Sequence, residues 1–179
     1  MSLPQRDDIV TSRLTLIAIT PETVKSEQAN DKQLGELIQC TIPPNWPPVD
    51  WEPHVFTFIL AQFEQHPEQI GWHRYVALPH PDGSRTLIGS LGSFSRTPTE
   101  CEIGYSILPP FEGRGLATEG TKALIEYLRA DERITSIIAH TFPSITGSIR
   151  VMEKCGLTFD GDGEEAGTIR YRLQLRPPK

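Results

Sequence analysis

Glu102-Ile-Gly-Tyr-Ser-Ile-Leu108, running through Pro109-Pro-Phe111 into Glu112-Gly-Arg-Gly115-Leu-Ala117, is the stretch on which the fold turns. It reads as a strand that feeds a glycine turn, and the turn becomes an amphipathic helix. From Leu116 to about Ala130 the spacing places Leu116, Gly120, Ala123, Leu124, Tyr127 and Leu128 on one face. Gly113 and Gly115 let the backbone take left-handed angles and come close to a ligand. The first turn of the helix leaves several N–H groups unpaired, and the helix dipole adds positive potential there, so the turn is an anion site. Arg114 adds a charge-assisted contact.

Three phosphate ligands compete for such a turn. A nucleoside triphosphate loop would end in Gly-Lys-Ser/Thr, but the helix continues Ala117-Thr-Glu-Gly-Thr-Lys122. A dinucleotide fingerprint would need Gly or Ala three residues after Gly115, where Thr118 stands, and an acidic residue ending the next strand, where His140 stands. The pyrophosphate of coenzyme A is the third.

Outward from this centre the elements fall in order. Arg13 to Ile19 alternates as a half-buried strand, and Thr20-Pro21 starts a first helix with a capping threonine. His54 to Gln65 has helical spacing and is ended by His66-Pro67. Between them, Thr41 to Pro53 is rich in proline and tryptophan and reads as an ordered loop; Trp46 and Trp51 suit either a substrate wall or a cap on the core. Trp72–Leu78 and Thr86–Phe94 flank Pro-Asp-Gly and form a hairpin. Beyond the central helix come a strand from Ile134 to His140, a helix from Ser144 to Cys155 closed by Gly156, and strands Leu157–Asp160 and Thr168–Leu175. The order implies an α/β fold, α+β by some schemes: one domain over residues 1–179, with a mixed, mostly antiparallel sheet of about seven strands and about four helices on its faces.

A formal charge of -6 leaves no basic footprint for nucleic acid, and an acidic surface suits a cationic substrate such as an amine. No run approaches the roughly 20 apolar residues of a membrane span. Cys40, Cys101 and Cys155 are widely spaced and unpaired in pattern, which speaks against a disulfide framework or a metal site and makes a reducing cytoplasm the expected compartment.

The segment Glu102–Lys122 resembles the acetyl-CoA-binding core of the GNAT superfamily of N-acetyltransferases, whose loop pattern Gln/Arg-x-x-Gly-x-Gly/Ala stands here as Glu112-Gly-Arg-Gly115-Leu-Ala117. Ser148-Ile-Arg-Val-Met-Glu-Lys-Cys-Gly156-Leu-Thr-Phe resembles the second cofactor helix of the RimJ/RimL-like subgroup, which acetylates ribosomal-protein N-termini, and Arg13-Leu-Thr-Leu its opening strand. The resemblance implies a central sheet splayed between the strands ending at Leu108 and near His140, with acetyl-CoA as co-substrate in the opening. It implies pantetheine contacts at Ser106, Ile107 and Leu108, pyrophosphate contacts at Glu112, Gly113, Arg114, Gly115, Leu116, Ala117 and Thr118, and Ser148 and Met152 at the thioester end. It also implies an amine acceptor, Glu102 as catalytic base, and an oxyanion contact from the N–H of Ile107 or Leu108. Ser148 assists the thiolate or caps its own helix, and His140 is the alternative base. Monomer and homodimer both fit.

Three departures stand out: Ile145 where many members have Asn, Met152 where many have an acidic Tyr, and Glu112 where the loop begins with Gln or Arg. They keep open a second class, a GNAT-fold module that binds acyl-CoA without turnover.

Overall fold

The computed structural model describes residues 7–30, 32–49 and 51–177. Among these residues eight strands form one sheet: β1 (Ile9–Val10), β2 (Thr15–Ala18), β3 (Arg74–Pro79), β4 (Arg85–Ser95), β5 (Glu100–Ile107), β6 (Ser136–Thr141), β7 (Thr158–Asp162) and β8 (Ile169–Gln174). Their spatial order is β1-β2-β3-β4-β5-β6-β8-β7. The helices are α1 (Pro21–Ala29), α2 (Leu34–Ile38), α3 (Pro53–Gln65), α4 (Leu116–Arg129) and α5 (Thr146–Lys154). The additions to the sequence reading are β1 and α2, two and five residues long and thus too short to show a period.

The caps follow local chemistry. The Thr20 hydroxyl accepts from the Thr23 N–H, and the Thr20 N–H donates to the Thr23 hydroxyl in return, closing a capping box ahead of Pro21. α3 also begins with proline, which lacks the N–H that a first turn would leave unpaired. No helix among the described residues is long and apolar enough to cross a membrane.

Two cores sandwich the sheet. On one face α4 buries Leu116, Leu124, Ile125 and Leu128, with Met152 of α5, against Leu16, Val76, Ile88, Ile103 and Ile137. On the other, Val24, Ile38, Phe56, Ile59 and Phe63 from α1 to α3 pack on Tyr75, Ala77 and Leu87. Each such aliphatic or aromatic side chain contributes about 1.5–3 kcal/mol on burial. Helices α1–α3 thus cover the β2–β4 half of their face. On the β5–β6–β8 half of that face stand the polar groups Glu100, Glu102, Ser136, His140 and Arg172.

β5 and β6 are the sheet's parallel pair among the named strands, and they stay in register only over Glu100/Ser136, Cys101/Ile137 and Glu102/Ile138. Beyond Glu102, β5 keeps its pairing with β4 as far as Ile107, while β6 keeps its pairing with β8 as far as Thr141. The sheet therefore splays where the two strands part, as the sequence reading expects.

Candidate active site

The antiparallel ladder decides which backbone groups face the opening. The Leu108 N–H donates to the Ile88 carbonyl at 2.8 Å, so the even residues Ser106, Gly104 and Glu102, paired with Ser90, Gly92 and Phe94, turn their backbone groups to β4. The odd residues Ile103, Tyr105 and Ile107 turn theirs toward β6, which has already diverged. Of the three residues expected to meet pantetheine, Ile107 presents its N–H and C=O to the opening, Leu108 gives its N–H to β4, and Ser106 offers its side chain on the α3 face.

The turn follows through a 3-10 segment, Pro109–Phe111, in which the N–H of Phe111 donates to Leu108 and that of Glu112 to Pro109. Gly113 and Gly115 have φ of 72° and 75°, the left-handed region that favours glycine. Gly115 is the N-cap of α4 with no side-chain cap, so the N–H groups of Leu116, Ala117 and Thr118 have no partner from a capping side chain. The side chains of Glu112 and Arg114 are exposed. A cradle of unpaired N–H groups at a helix start fits a pyrophosphate.

Arg13 is a part of this site to which the sequence reading gave no role. Its Nε donates to Glu119 at 2.7 Å, its backbone N–H to the same carboxylate at 2.8 Å, and its guanidinium to the Arg114 carbonyl at 2.8 Å. Burial alone would raise the Glu119 pKa, but the Thr11 hydroxyl and Arg13 outweigh it and hold the group below the usual range. The start of β2 is thereby tied to the phosphate turn. Its signal was Arg13 at the head of the opening motif, which carries no chemistry until the fold brings it across to α4.

On α5 the N-cap is Ile145, without a side-chain cap, and Ser148 lies inside the first turn. Ser148 therefore does not cap its helix; the cap lies three residues earlier than expected because Phe142 and Ile145 start the turn through their backbones. Instead the Tyr105 hydroxyl sits 2.9 Å from the Ser148 carbonyl and 3.1 Å from its Oγ, linking the two lips of the opening. Burial is the main cause that pushes Tyr105 up to about 12. Met152 is wholly buried, at 0% exposure, in the core beneath α5. Ile145 is exposed.

The two carboxylates on the α3 face of β5 have different company. Glu100 accepts from Ser136 at 2.7 Å and pairs with Arg172, which also reaches Asp160, so it belongs to an ion ladder across β6 and β8. Glu102 stands where the strands part. Its Oε1 is 2.8 Å from His140 Nδ1 and its Oε2 3.6 Å from Arg96 Nε, with 18% of the side chain exposed. The carboxylate orients that imidazole through Nδ1, and its Nε2 is buried without a hydrogen-bond partner among the described residues. The two residues weighed separately as bases in the sequence form one pair.

Two concavities adjoin this face. The larger, about 470 Å³, lies at the other end of β5 around Arg96, Glu100 and Arg133. The smaller, about 310 Å³, opens between α3 and the Gly104–Ser106 segment at the splay, with Trp51 in its wall. Position relative to the open backbone edge makes the second the relevant one.

A splayed parallel pair beside an uncapped helix start leaves an open backbone edge that leads to a cradle of N–H groups. The chain belongs to the acetyltransferase (GNAT) domain family, which it matches over residues 13–158. Members use acetyl-CoA as co-substrate. A curated relative, the FsC-acetyl coenzyme A-N(2)-transacetylase of Aspergillus fumigatus, is 27% identical over 116 residues, 59% of this chain and 46% of that protein. The chain thus spans about half the length of that relative. Among solved structures, a GNAT-family acetyltransferase from Bordetella pertussis superposes with a TM-score of 0.65 at 20% identity, covering 93% of this chain and 99% of the other. RimL, the ribosomal L7/L12 alpha-N-protein acetyltransferase, in complex with coenzyme A, gives a TM-score of 0.64 at 16% identity, over 94% and 98% of the two chains. At these identities the likeness establishes the fold.

Proposed function

We propose that this protein transfers the acetyl group of acetyl-CoA to the nitrogen of a primary amine by direct attack, and that the acceptor is a peptide or protein N-terminus or a small amine. The observation that carries the reading is Glu102, a partly exposed carboxylate fixed by His140 at the point where β5 and β6 part. An alkylamine is almost wholly protonated at neutral pH, so transfer begins with removal of a proton. Glu102 takes it, directly or through water, and the neutral nitrogen attacks the thioester carbonyl. The Ile107 N–H, on the open edge, meets the developing oxyanion. Collapse breaks the carbon–sulfur bond, and the nitrogen gives its remaining extra proton through water to the departing thiolate, so that coenzyme A leaves as the thiol; Ser148 turns its hydroxyl toward that sulfur while Tyr105 supports it from behind. The Ile107 C=O and the backbone of Tyr105, on the open edge of β5, pair with the pantetheine arm, Glu112 to Thr118 hold the pyrophosphate through backbone N–H groups, and Met152 packs beneath the thioester end.

The RimJ/RimL-like assignment belongs to this reading, supported by the Ser148–Phe159 motif and by the shared fold with RimL. A non-catalytic acyl-CoA-binding module is the second reading, favoured by the buried, hydroxyl-free Met152. Thiol release from acetyl-CoA with an amine panel separates them. Turnover lost in Glu102→Gln with acetyl-CoA binding retained supports the enzyme, whereas binding without turnover on any amine supports the module.

A further inference from the structure

The cavity of about 310 Å³ has a chemistry that acetyl transfer alone does not require. Its floor consists of cross-strand pairs of β4 and β5, Ser90 opposite Ser106 and Gly92 opposite Gly104. Two facing glycines leave a dent in the sheet. A Cβ on Gly104 would meet nothing within 4 Å, while one on Gly92 would collide with the His73 ring, which is seated there. The next pair, Phe94 and Glu102, sets the candidate base about 7 Å along the strand from Gly104, on the same face.

The walls are apolar and fixed. Phe58 and Phe94 meet edge to face at 5.2 Å, and Trp51 packs edge-on against Phe56 at 5.6 Å. The loop carrying Trp51 is pinned by one carboxylate on α1: Glu27 accepts the indole N–H of Trp46 at 3.0 Å, that of Trp51 at 3.1 Å, and the Tyr75 hydroxyl. The tryptophans thus cap the core, and one of them also walls the cavity.

Among the described residues no carboxylate lines this space, and its imidazole is neutral. Burial lowers His73 to about 4. Its tautomer is set by a relay: Gln62 donates its amide to Gln69 Oε1 at 2.7 Å and to the Ser93 carbonyl at 3.1 Å, so its Oε1 receives the His73 Nε2–H at 2.7 Å. Nδ1 is left as a lone-pair acceptor above Gly92.

We propose that this cavity seats the side chain of the acceptor, and that the acceptor is a monoamine carrying a compact apolar or aromatic group beside its amine. The amine then lies at Glu102, the volume holds one such group, near the lower end for small-ligand sites, and the described lining offers a second cation no counter-charge. Glu27 is a positioning residue for the wall. The proposal rests on the acetyltransferase reading, and its chemistry fits both a free arylalkylamine and a peptide whose first residue is apolar.

The test compares kcat/KM for phenethylamine, for hexapeptides beginning with Phe, Leu, Gly or Asp, and for spermidine. Apolar acceptors are expected to exceed the Gly-first peptide and spermidine by roughly ten- to a hundredfold; peptides above phenethylamine point to a protein terminus, the reverse to a small amine. Gly104→Val, whose Cβ enters open space, is expected to fill the dent and erase that preference while the acetyl-CoA Kd stays within about threefold. Glu27→Gln is expected to raise the acceptor KM and shift tryptophan emission with kcat for saturating acceptor retained. Spermidine as the best acceptor, or a preference that survives Gly104→Val, overturns the proposal while leaving acetyl transfer standing. If no amine is acetylated, tryptophan quenching by phenethylamine reads the cavity alone: saturable quenching lost in Gly104→Val sustains the seat, and none in the wild type refutes it.

Discussion

The two sides of the β5–β6 opening are made of different material. On the α4 side the site is main chain: the odd-residue edge of β5, two left-handed glycines, and the first N–H groups of α4. On the α3 side it is side chain: Glu102 from β5, His140 from β6, Trp51 from a loop held by α1, and His73 seated on a β4 glycine. A backbone site needs only the right turn geometry and tolerates variation in what the side chains do. Glu112, which begins the loop, turns its carboxylate to solvent. A side-chain site depends on groups delivered from several elements at once, and single substitutions there act on chemistry more than on binding.

The largest expected separation of the two sides comes from Glu102→Gln. It removes the proposed base but leaves the α4 side intact, so kcat/KM should fall about a hundred- to ten-thousandfold with the acetyl-CoA Kd unchanged. A parallel fall in acetyl-CoA affinity would merge the two sides.

A second effect concerns His73 and is read in stability. Its folded pKa of about 4 lies below the ordinary 6.5, so above 6.5 the ring is neutral in both states and its contribution is complete. As pH falls from 6.5 toward 4 the unfolded chain takes up the proton first, and stability drops by about 3 kcal/mol across that window. Urea denaturation between pH 7 and pH 4 measures it, and His73→Asn should flatten the slope.

Gly115→Val tests the main-chain side. At φ 75° a β-branched residue costs about 1–3 kcal/mol, and its side chain intrudes on the cradle, so the acetyl-CoA Kd should rise roughly ten- to a hundredfold with acceptor preference kept. Smallest is Arg13→Ala, which loosens the turn through a half-exposed ion pair; a rise in Kd of about fivefold is expected by calorimetry.

The same contrast explains what the sequence disclosed. Gly113 and Gly115 between a strand and an amphipathic helix carry their meaning locally, and the order of strands around them led to the splayed sheet. Glu102 and His140 were readable one at a time, through the resemblance and through position at a strand end, but their pairing requires β5 and β6 to lie side by side across 38 residues. The Glu27 pin, the Gln62 relay that sets His73, and Arg13 on the phosphate turn are long-range contacts with no periodic or motif signature. Of the two roles that the sequence left open for Ser148, capping falls away for a related reason: the turn before it starts on backbone bonds of Phe142 and Ile145, which side-chain chemistry does not announce.

Amide hydrogen exchange with and without acetyl-CoA tests the central claim, that the co-substrate lies on the open edge of β5 with its pyrophosphate at the start of α4. Slowed exchange at Tyr105, Ile107 and the amides from Gly113 to Thr118, with little change around Trp51 and Phe58, is the predicted result. Protection centred on the α3 cavity, with the glycine turn unaffected, would contradict it.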